Sequence, residues 1–223
     1  MAVSTEIYEA ILTGDAPKAR AATQAAIDAG SGPMELISDS MVPAMNEVGR
    51  LFEAEEYFVP ELLLSGRAMK STMEVLRPLI IASGLKLGTR ILIGTVKGDL
   101  HDIGKNIVAS MLVGSGFEVI DLGADVPPEK FVAAVQEREP DVLCMSALLT
   151  VTMPAMRTTI QALETAGLRN GVKVLIGGAP VTDQYAREIG ADGYSNNASG
   201  AVTLVKSLCA VAKQGAGRLS IEP

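Results

Sequence analysis

Two hydrophobic periods divide the chain. From Ser4 to about Ala82 the apolar residues return at helical spacing, as at Ile37, Met41, Met45, Val48 and Phe52, with no short β-branched runs between them. This half reads as a bundle of four short helices. Gly14-Asp15-Ala16-Pro17 and Gly30-Ser31-Gly32-Pro33 each close one helix and open the next. Pro43 should restart or kink a third helix, and Pro60 fits the first turn of a fourth, where the missing N–H has no partner to lose. Ser83-Gly84-Leu85-Lys86-Leu87-Gly88 loses the period and carries two glycines. A boundary there gives a helical domain over 1–85 and a second domain over 86–223.

From Thr89 onward, short β-like runs alternate with helical stretches. The expected strands are Arg90 to Val96, Glu118 to Leu122, Val142 to Ala147, Val172 to Ile176 and a short one at Gly193-Tyr194. Amphipathic segments begin near Gly104, Pro128, Met153, Thr182 and Ala198, completing five βα units. Such alternation predicts an α/β domain with a five-stranded parallel sheet, helices on both faces and right-handed crossovers. Ligands of such sheets bind at the carboxyl ends of the strands.

Composition narrows the partners. Net charge is −7 with 20% charged and 48% hydrophobic residues, which opposes attraction to phosphate backbones and anionic lipid and argues for a folded chain. Nucleic acid and membrane are therefore excluded as expected partners. No apolar stretch approaches a bilayer span, and Met1 to Glu6 has neither basic nor apolar leader character, so a cytoplasmic protein is expected. Cys144 and Cys209 are far apart. Cys144, in Val142-Leu143-Cys144-Met145, reads as an inert buried thiol, and no disulfide is expected.

The sole histidine, His101, lies in Gly98-Asp99-Leu100-His101-Asp102-Ile103-Gly104-Lys105-Asn106, directly after the first expected strand. A loop histidine is often simply solvated or hydrogen-bonded in its turn. A phosphate loop is excluded, because five residues separate the glycines, Asn106 stands in place of the hydroxyl residue, and Asp99 and Asp102 bring negative charge. Gly-x-Gly-x-x-Gly is absent from this turn. A zinc or non-haem iron site needs three or four protein ligands, and the chain has one histidine and no nearby cysteine cluster.

The spacing Asp99-x-His101-x-x-Gly104, followed by Ser146-Ala147-Leu148 and then Gly177-Gly178, resembles the fingerprint of cobalamin-binding domains in which a histidine replaces the cofactor's own base beneath cobalt. The resemblance implies a Rossmann-like (flavodoxin-like) domain. Since a corrin supplies four equatorial nitrogens, one axial histidine, His101, is enough. Asp99 can fix its other nitrogen, and the family's pattern implies that Ser146 hydrogen-bonds this aspartate in a relay. Ser146 alone could equally cap the turn after its strand. By the same resemblance, cofactor contacts fall on Gly98, Leu100, Asp102, Ile103 and Gly104, on Leu148 and Thr150, and on Gly177, Gly178 and Ala179. Tyr194, Asn197 and Ala198 complete them. Gly104 would let its helix pack closely on the sheet, while Gly177 and Gly178 would clear room for the nucleotide tail, if they are not simply a turn between strand and helix. The family commonly has an aspartate where Asn197 stands.

Val48 to Leu62 is similar to the helical cap preceding the cobalamin domain in methionine synthase and in the corrinoid proteins of methanol, methylamine and aryl-ether (O-demethylase) methyltransferase systems. Phe52, Tyr57, Phe58 and Leu62 are thereby implied to cover the methyl face of the corrin, although each also suits a bundle core. Glu55 stands where glycine is frequent. The chain is too short for the substrate barrel of adenosylcobalamin mutases and lacks the basic recognition helix of photoreceptor regulators. The resemblance thus implies a carrier subunit rather than a complete enzyme, with no catalytic residue acting on this chain alone. Cobalt(I) of a cobalamin or related corrinoid would accept a methyl group from a substrate held by a substrate-specific methyltransferase, giving the methylcobalamin form. A second methyltransferase would pass the group to tetrahydrofolate or a thiol, and a reductive activase would restore cobalt(I). The alternative is a corrinoid storage or sensing module without turnover.

Overall fold

A computed structural model of the chain describes residues 2–83 and 89–216. The expected boundary at residue 85 lies outside the described residues. The described chain forms two units, one of residues 2–83 with 109–118 and one of residues 89–108 with 119–216.

In the first unit, α1 (Ala2–Leu12) is followed by α2 (Ala16–Asp28), whose N-cap Asp15 accepts the Lys18 N–H at 3.0 Å while Pro17 occupies the first turn. Next, α3 (Pro33–Leu36) runs through a π-helical turn, Ile37–Met41, into α4 (Val42–Glu53). Pro43 explains the widening. Its ring lacks an N–H and crowds the carbonyl four residues back, and a π turn, with the Val42 N–H bonded to the Ile37 carbonyl, relieves that crowding. The last helix of the bundle, α5 (Val59–Ala82), is 24 residues long rather than short and continues through Pro78. Its apolar stripe sustains it: Leu62, Met69, Leu76 and Ile80 are fully buried with Ile7, Ile11 and Met41.

From residue 89 onward the chain alternates strands and helices as the sequence predicts: β1 (Arg90–Thr95), α6 (Ile103–Gly114), β2 (Glu118–Asp121), α7 (Pro128–Arg138), β3 (Val142–Ser146), α8 (Pro154–Thr165), β4 (Lys173–Gly177), α9 (Asp183–Ile189), β5 (Gly193–Ser195) and α10 (Ala198–Ala216). The sheet order is β2-β1-β3-β4-β5, the flavodoxin-like order. β1 pairs in parallel with β3, β3 with β4 and β4 with β5, the strand ends being aligned through Thr95, Ser146 and Gly177. Leu92, Leu143, Val174 and Ile160 form its core together with Phe131 of α7. Gly94 is the strand position that admits this ring, since a Cβ there would come within 2.9 Å of Phe131. Strand order reverses at β1, so the loops after β1 and β3 open a crevice at the carboxyl edge.

Candidate functional site

Asp99 is the anchor of this crevice. The residue is fully buried at the end of the β1 loop. One carboxylate oxygen accepts the His101 backbone N–H at 3.0 Å and lies 2.8 Å from His101 Nδ1. The other accepts the Leu148 N–H at 2.7 Å and the Thr152 hydroxyl at 2.7 Å. Burial alone would push the carboxyl pKa up, but the hydrogen bonds from Thr152, from the Leu148 and His101 N–H groups and from the His101 ring outweigh it and hold the pKa well below the ordinary value. An ionised carboxylate only accepts hydrogen bonds, so the proton of the imidazole sits on Nδ1. Nε2 is left with its lone pair free, on a side chain that is 51% exposed.

The loop is held from two further sides. Gly98, at φ +82°, gives its N–H to Asp125 Oδ1 at 2.7 Å, and the Asp125 N–H returns to the Asp99 carbonyl at 3.0 Å. Asp125 itself takes a left-handed conformation at φ +52°, which aspartate tolerates better than most side chains. Thr95 Oγ1 donates to the His101 carbonyl at 3.0 Å and lies 2.9 Å from Ser146 Oγ. With its one proton given to a carbonyl, Thr95 must accept from Ser146. Ser146 therefore supports the backbone of His101 through Thr95 and does not bond Asp99 as the expected relay required. Its strand-end position aligns it with Thr95 across the sheet, whereas Thr152 lies in the turn leading to α8.

Other expected contacts divide by burial. Leu100, Ile103 and Leu148 are exposed apolar side chains, joined by Leu149 and by Val151, which is 80% exposed. Asp102, Thr150, Ala179 and Asn197 are also exposed. The Asp102 carbonyl accepts the Asn106 N–H at the start of α6. Gly104 does not serve close helix packing, because a Cβ there would meet nothing within 4 Å. Gly177 and Gly178 are required first by the protein itself. A Cβ on Gly177 would lie 3.0 Å from the Ser195 carbonyl oxygen, and one on Gly178, at φ +125°, would strike the Ala147 carbonyl oxygen at 1.9 Å. Asn197 caps α10 by accepting the Gly200 N–H at 2.7 Å, a role an aspartate fills equally. Ala198 is buried, and Tyr194 packs against the sheet core. Lys105, the lysine of the rejected phosphate loop, is buried with Nζ 2.5 Å from Asp121 Oδ2 and 2.7 Å from Asn106 Oδ1.

In the helical unit, Leu62 is fully buried and is spent on that unit's core, so it is not available to cap a ligand. Tyr57 is half-buried with its hydroxyl donating to the Leu12 carbonyl at 3.2 Å. Phe52 is half-buried and Phe58 is 63% exposed. Glu55 keeps the left-handed turn that glycine favours, at φ +59°. Cys144 is buried, and its thiol is pushed up to about 12, first by burial and then by the nearby Cys209.

Among the described residues no three His, Cys, Asp or Glu side chains gather into a metal-binding cluster. A metal bound at His101 must bring most of its ligands with it. The donor set fits a metal held in a macrocycle: one oriented imidazole, an apolar rim for a flat ring, and no side chain at Gly104. No described helix is long and apolar enough to cross a membrane.

Comparison with known proteins agrees with this fit. Residues 89–203 match a B12 binding domain family, and residues 3–77 match a second family described as a B12 binding domain. Dimethylamine corrinoid protein 1 of Methanosarcina acetivorans is 45% identical over 194 residues, covering 85% of this chain and 91% of that protein. In the crystal structure of the methanol:cobalamin methyltransferase complex MtaBC from Methanosarcina barkeri, one chain matches with a TM-score of 0.84 at 32% identity, over 94% of this chain and 80% of that one. A cobalamin-binding protein from Desulfitobacterium hafniense DCB-2 matches with a TM-score of 0.71 at 35% identity, over 92% and 98%. A histidine poised at the edge of a flavodoxin-like sheet, a helical part ahead of it and these likenesses along nearly the whole length lead to one conclusion: the chain belongs to the B12-binding corrinoid proteins, and its cofactor is a cobalamin or related corrinoid.

Proposed function

We infer that this chain is the methyl-carrying corrinoid subunit of a multi-component methyltransferase. The observation that carries the reading is His101, whose Nδ1 is fixed by buried Asp99 while Nε2 stays free at the crevice. When bound, the corrinoid supplies a cobalt centre that accepts and releases a methyl group. His101 would hold the cobalt through Nε2, with Asp99 fixing its tautomer and raising its basicity. Leu100, Ile103 and Leu148 give the ring an apolar seat. The backbone around Gly98, Gly104, Thr150 and Gly177 to Ala179 would border the cofactor, and Asp102, Tyr194, Asn197 and Ala198 would flank it. Phe52, Tyr57 and Phe58 are the residues assigned to shield the methyl face.

The likeness to a dimethylamine corrinoid protein and to a chain of a methanol methyltransferase complex supports a partnership with a substrate-specific methyltransferase. Since those names point to two different methyl donors, donor choice is assigned to the partner enzyme. A second methyltransferase delivering the methyl group to tetrahydrofolate or a thiol, and a reductive activase, complete the proposed cycle, placed in the cytoplasm.

The test is electron paramagnetic resonance of the cobalt(II) form reconstituted with hydroxocobalamin. Labelling histidine with nitrogen-15 should change the axial nitrogen hyperfine pattern, because His101 is the sole histidine. An unchanged pattern removes His101 from cobalt and overturns the reading.

A further inference from the structure

We propose that Asp125 is a positioning residue that clamps the entry of the His101 loop, so that the imidazole is presented to cobalt in one pose. This rests on His101 ligating cobalt. The loop begins with a tight turn, in which the Asp99 N–H donates to the Val96 carbonyl at 3.1 Å and Gly98 takes the left-handed third position that such turns give to glycine. The turn satisfies the Asp99 N–H but neither the Gly98 N–H nor the Asp99 carbonyl. Asp125 takes both. Its Oδ1 accepts the Gly98 N–H at 2.7 Å, and its own N–H donates to the Asp99 carbonyl at 3.0 Å. The backbone of Asp99 is thus held at its N–H by the turn and at its carbonyl by Asp125. That backbone aims the buried carboxylate on which His101 Nδ1 rests.

The position does not otherwise call for an aspartate. Ahead of Val126-Pro127-Pro128 an aspartate would ordinarily serve as a helix cap, yet the N-cap of α7 is Pro127 and no side chain bonds there. A φ of +52° is one that glycine adopts at lower cost, and the residue is exposed, so burial does not explain it either. What the aspartate adds is the bond to Gly98. The loop that carries it is secured independently: the Val126 N–H donates to the Thr95 carbonyl at 2.9 Å, and the Thr95 N–H to the Gly123 carbonyl at 3.0 Å. Removing the side chain therefore releases the clamp without detaching its loop. Asp99 and Asp125 then have separate duties. Asp99 bonds the imidazole and sets its proton, whereas Asp125 bonds only the backbone of the loop and sets where Nε2 stands.

The experiment compares wild type, Asp125→Gly, Asp125→Asn and His101→Ala as full chains. Four quantities are read: hydrogen exchange of the Gly98 amide and the nitrogen-15 ring signals of the sole histidine in cofactor-free protein, the ratio of ligated to released histidine in the cobalt(II) spectrum after loading with hydroxocobalamin, and the urea midpoint. Asp125→Gly removes the acceptor and relieves the left-handed strain. Gly98 exchange should quicken about two- to tenfold, the range for one lost hydrogen bond, and the ligated fraction should fall by a similar factor. The urea midpoint and the ring signals should stay as in wild type, because the fold and the Asp99 bond to Nδ1 are untouched. Asp125→Asn keeps both an acceptor oxygen and tolerance of the turn, and should restore exchange and ligation. Should Asp125→Gly fold poorly, Asp125→Ala takes its place with the same outcomes. Unchanged exchange and ligation in Asp125→Gly, an Asp125→Asn variant that behaves like Asp125→Gly, or ring signals that shift with ligation each overturn the clamp while leaving cobalt ligation intact. A cobalt(II) spectrum unaltered in His101→Ala overturns ligation itself, and this proposal with it.

Discussion

At the scale of single residues, the glycines around the crevice differ in what they answer to. Gly178 is dictated by the protein, since its φ of +125° and the Ala147 carbonyl 1.9 Å from an added Cβ leave no room for a side chain. Gly178→Ala should cost more than about 2 kcal/mol in urea unfolding, with strain and overlap adding. Gly104 faces no such demand. Gly104→Ala should leave stability equal or raise it by up to about 1 kcal/mol, as alanine favours a helix, while lowering hydroxocobalamin affinity in a binding titration. Equal effects of the two substitutions on unfolding would show that the backbone account of Gly178 is wrong. Asp192 supplies a second test. Burial raises its pKa, but the Val174 N–H, Lys173 and Arg169 outweigh burial and hold it below the ordinary value. A depressed folded pKa contributes stability that is present above the unfolded value, near pH 4, and is lost as pH falls through the folded one. Asp192→Asn should therefore lower stability at pH 7 by about 1–2 kcal/mol and flatten the fall in stability below about pH 4, read from urea midpoints across pH 2 to 7.

At the scale of elements, the π turn before Pro43 leaves a buried hydroxyl stranded. Ser40 is fully buried, and its Oγ has no hydrogen-bond partner among the described residues. An unmade buried hydrogen bond costs about 1–3 kcal/mol, so Ser40→Ala should raise stability by about 1 kcal/mol in chemical denaturation; a loss would reveal a bond to the hydroxyl that this account lacks. Proline made a disturbance near residue 43 legible in sequence, but not that the helix would continue by widening. The five strands were readable because buried parallel strands are apolar runs punctuated by turn residues, as Ile91-Leu92-Ile93 and Val142-Leu143-Cys144 show. The histidine loop was readable because Asp99, His101 and Gly104 lie within a span of six residues shortly after a strand end. Its support was not. Ser146 ends the strand that Thr152 follows, and only the turn through Leu149 decides which hydroxyl reaches Asp99. Leu62 had the same difficulty, since periodicity marks an apolar residue without saying whether a core or a ligand covers it.

At the scale of the whole molecule, the two hydrophobic periods do not map onto two consecutive stretches of chain. Helix α6 begins in the sheet unit, yet residues from 109 through 118 belong with the helical unit. Their packing there is close: a Cβ on Gly66 would lie 2.8 Å from Ser110 Cβ, and one on Gly114 would lie 2.4 to 2.8 Å from atoms of Met45. Met111 and Leu112 are buried in the full chain, and the Arg77 guanidinium pairs with Glu118. A cut at the loss of period, near Leu87, would thus strand one face of α6 without the residues that cover it. The fragment 87–223 should keep the five-stranded sheet, whose core is made by Leu92, Leu143, Val174 and Phe131 within it. It should nevertheless bind the dye ANS where the full chain does not, and unfold at lower denaturant, because exposed apolar surface is no longer removed from water. Substituting Met111 and Leu112 by glutamine in the fragment should reduce the dye signal, whereas in the full chain the same pair should cost several kcal/mol. A fragment that stays monomeric, dye-negative and as stable as the full chain would mean that α6 is covered from within the sheet unit, and that the two periods in the sequence separate the folding units after all.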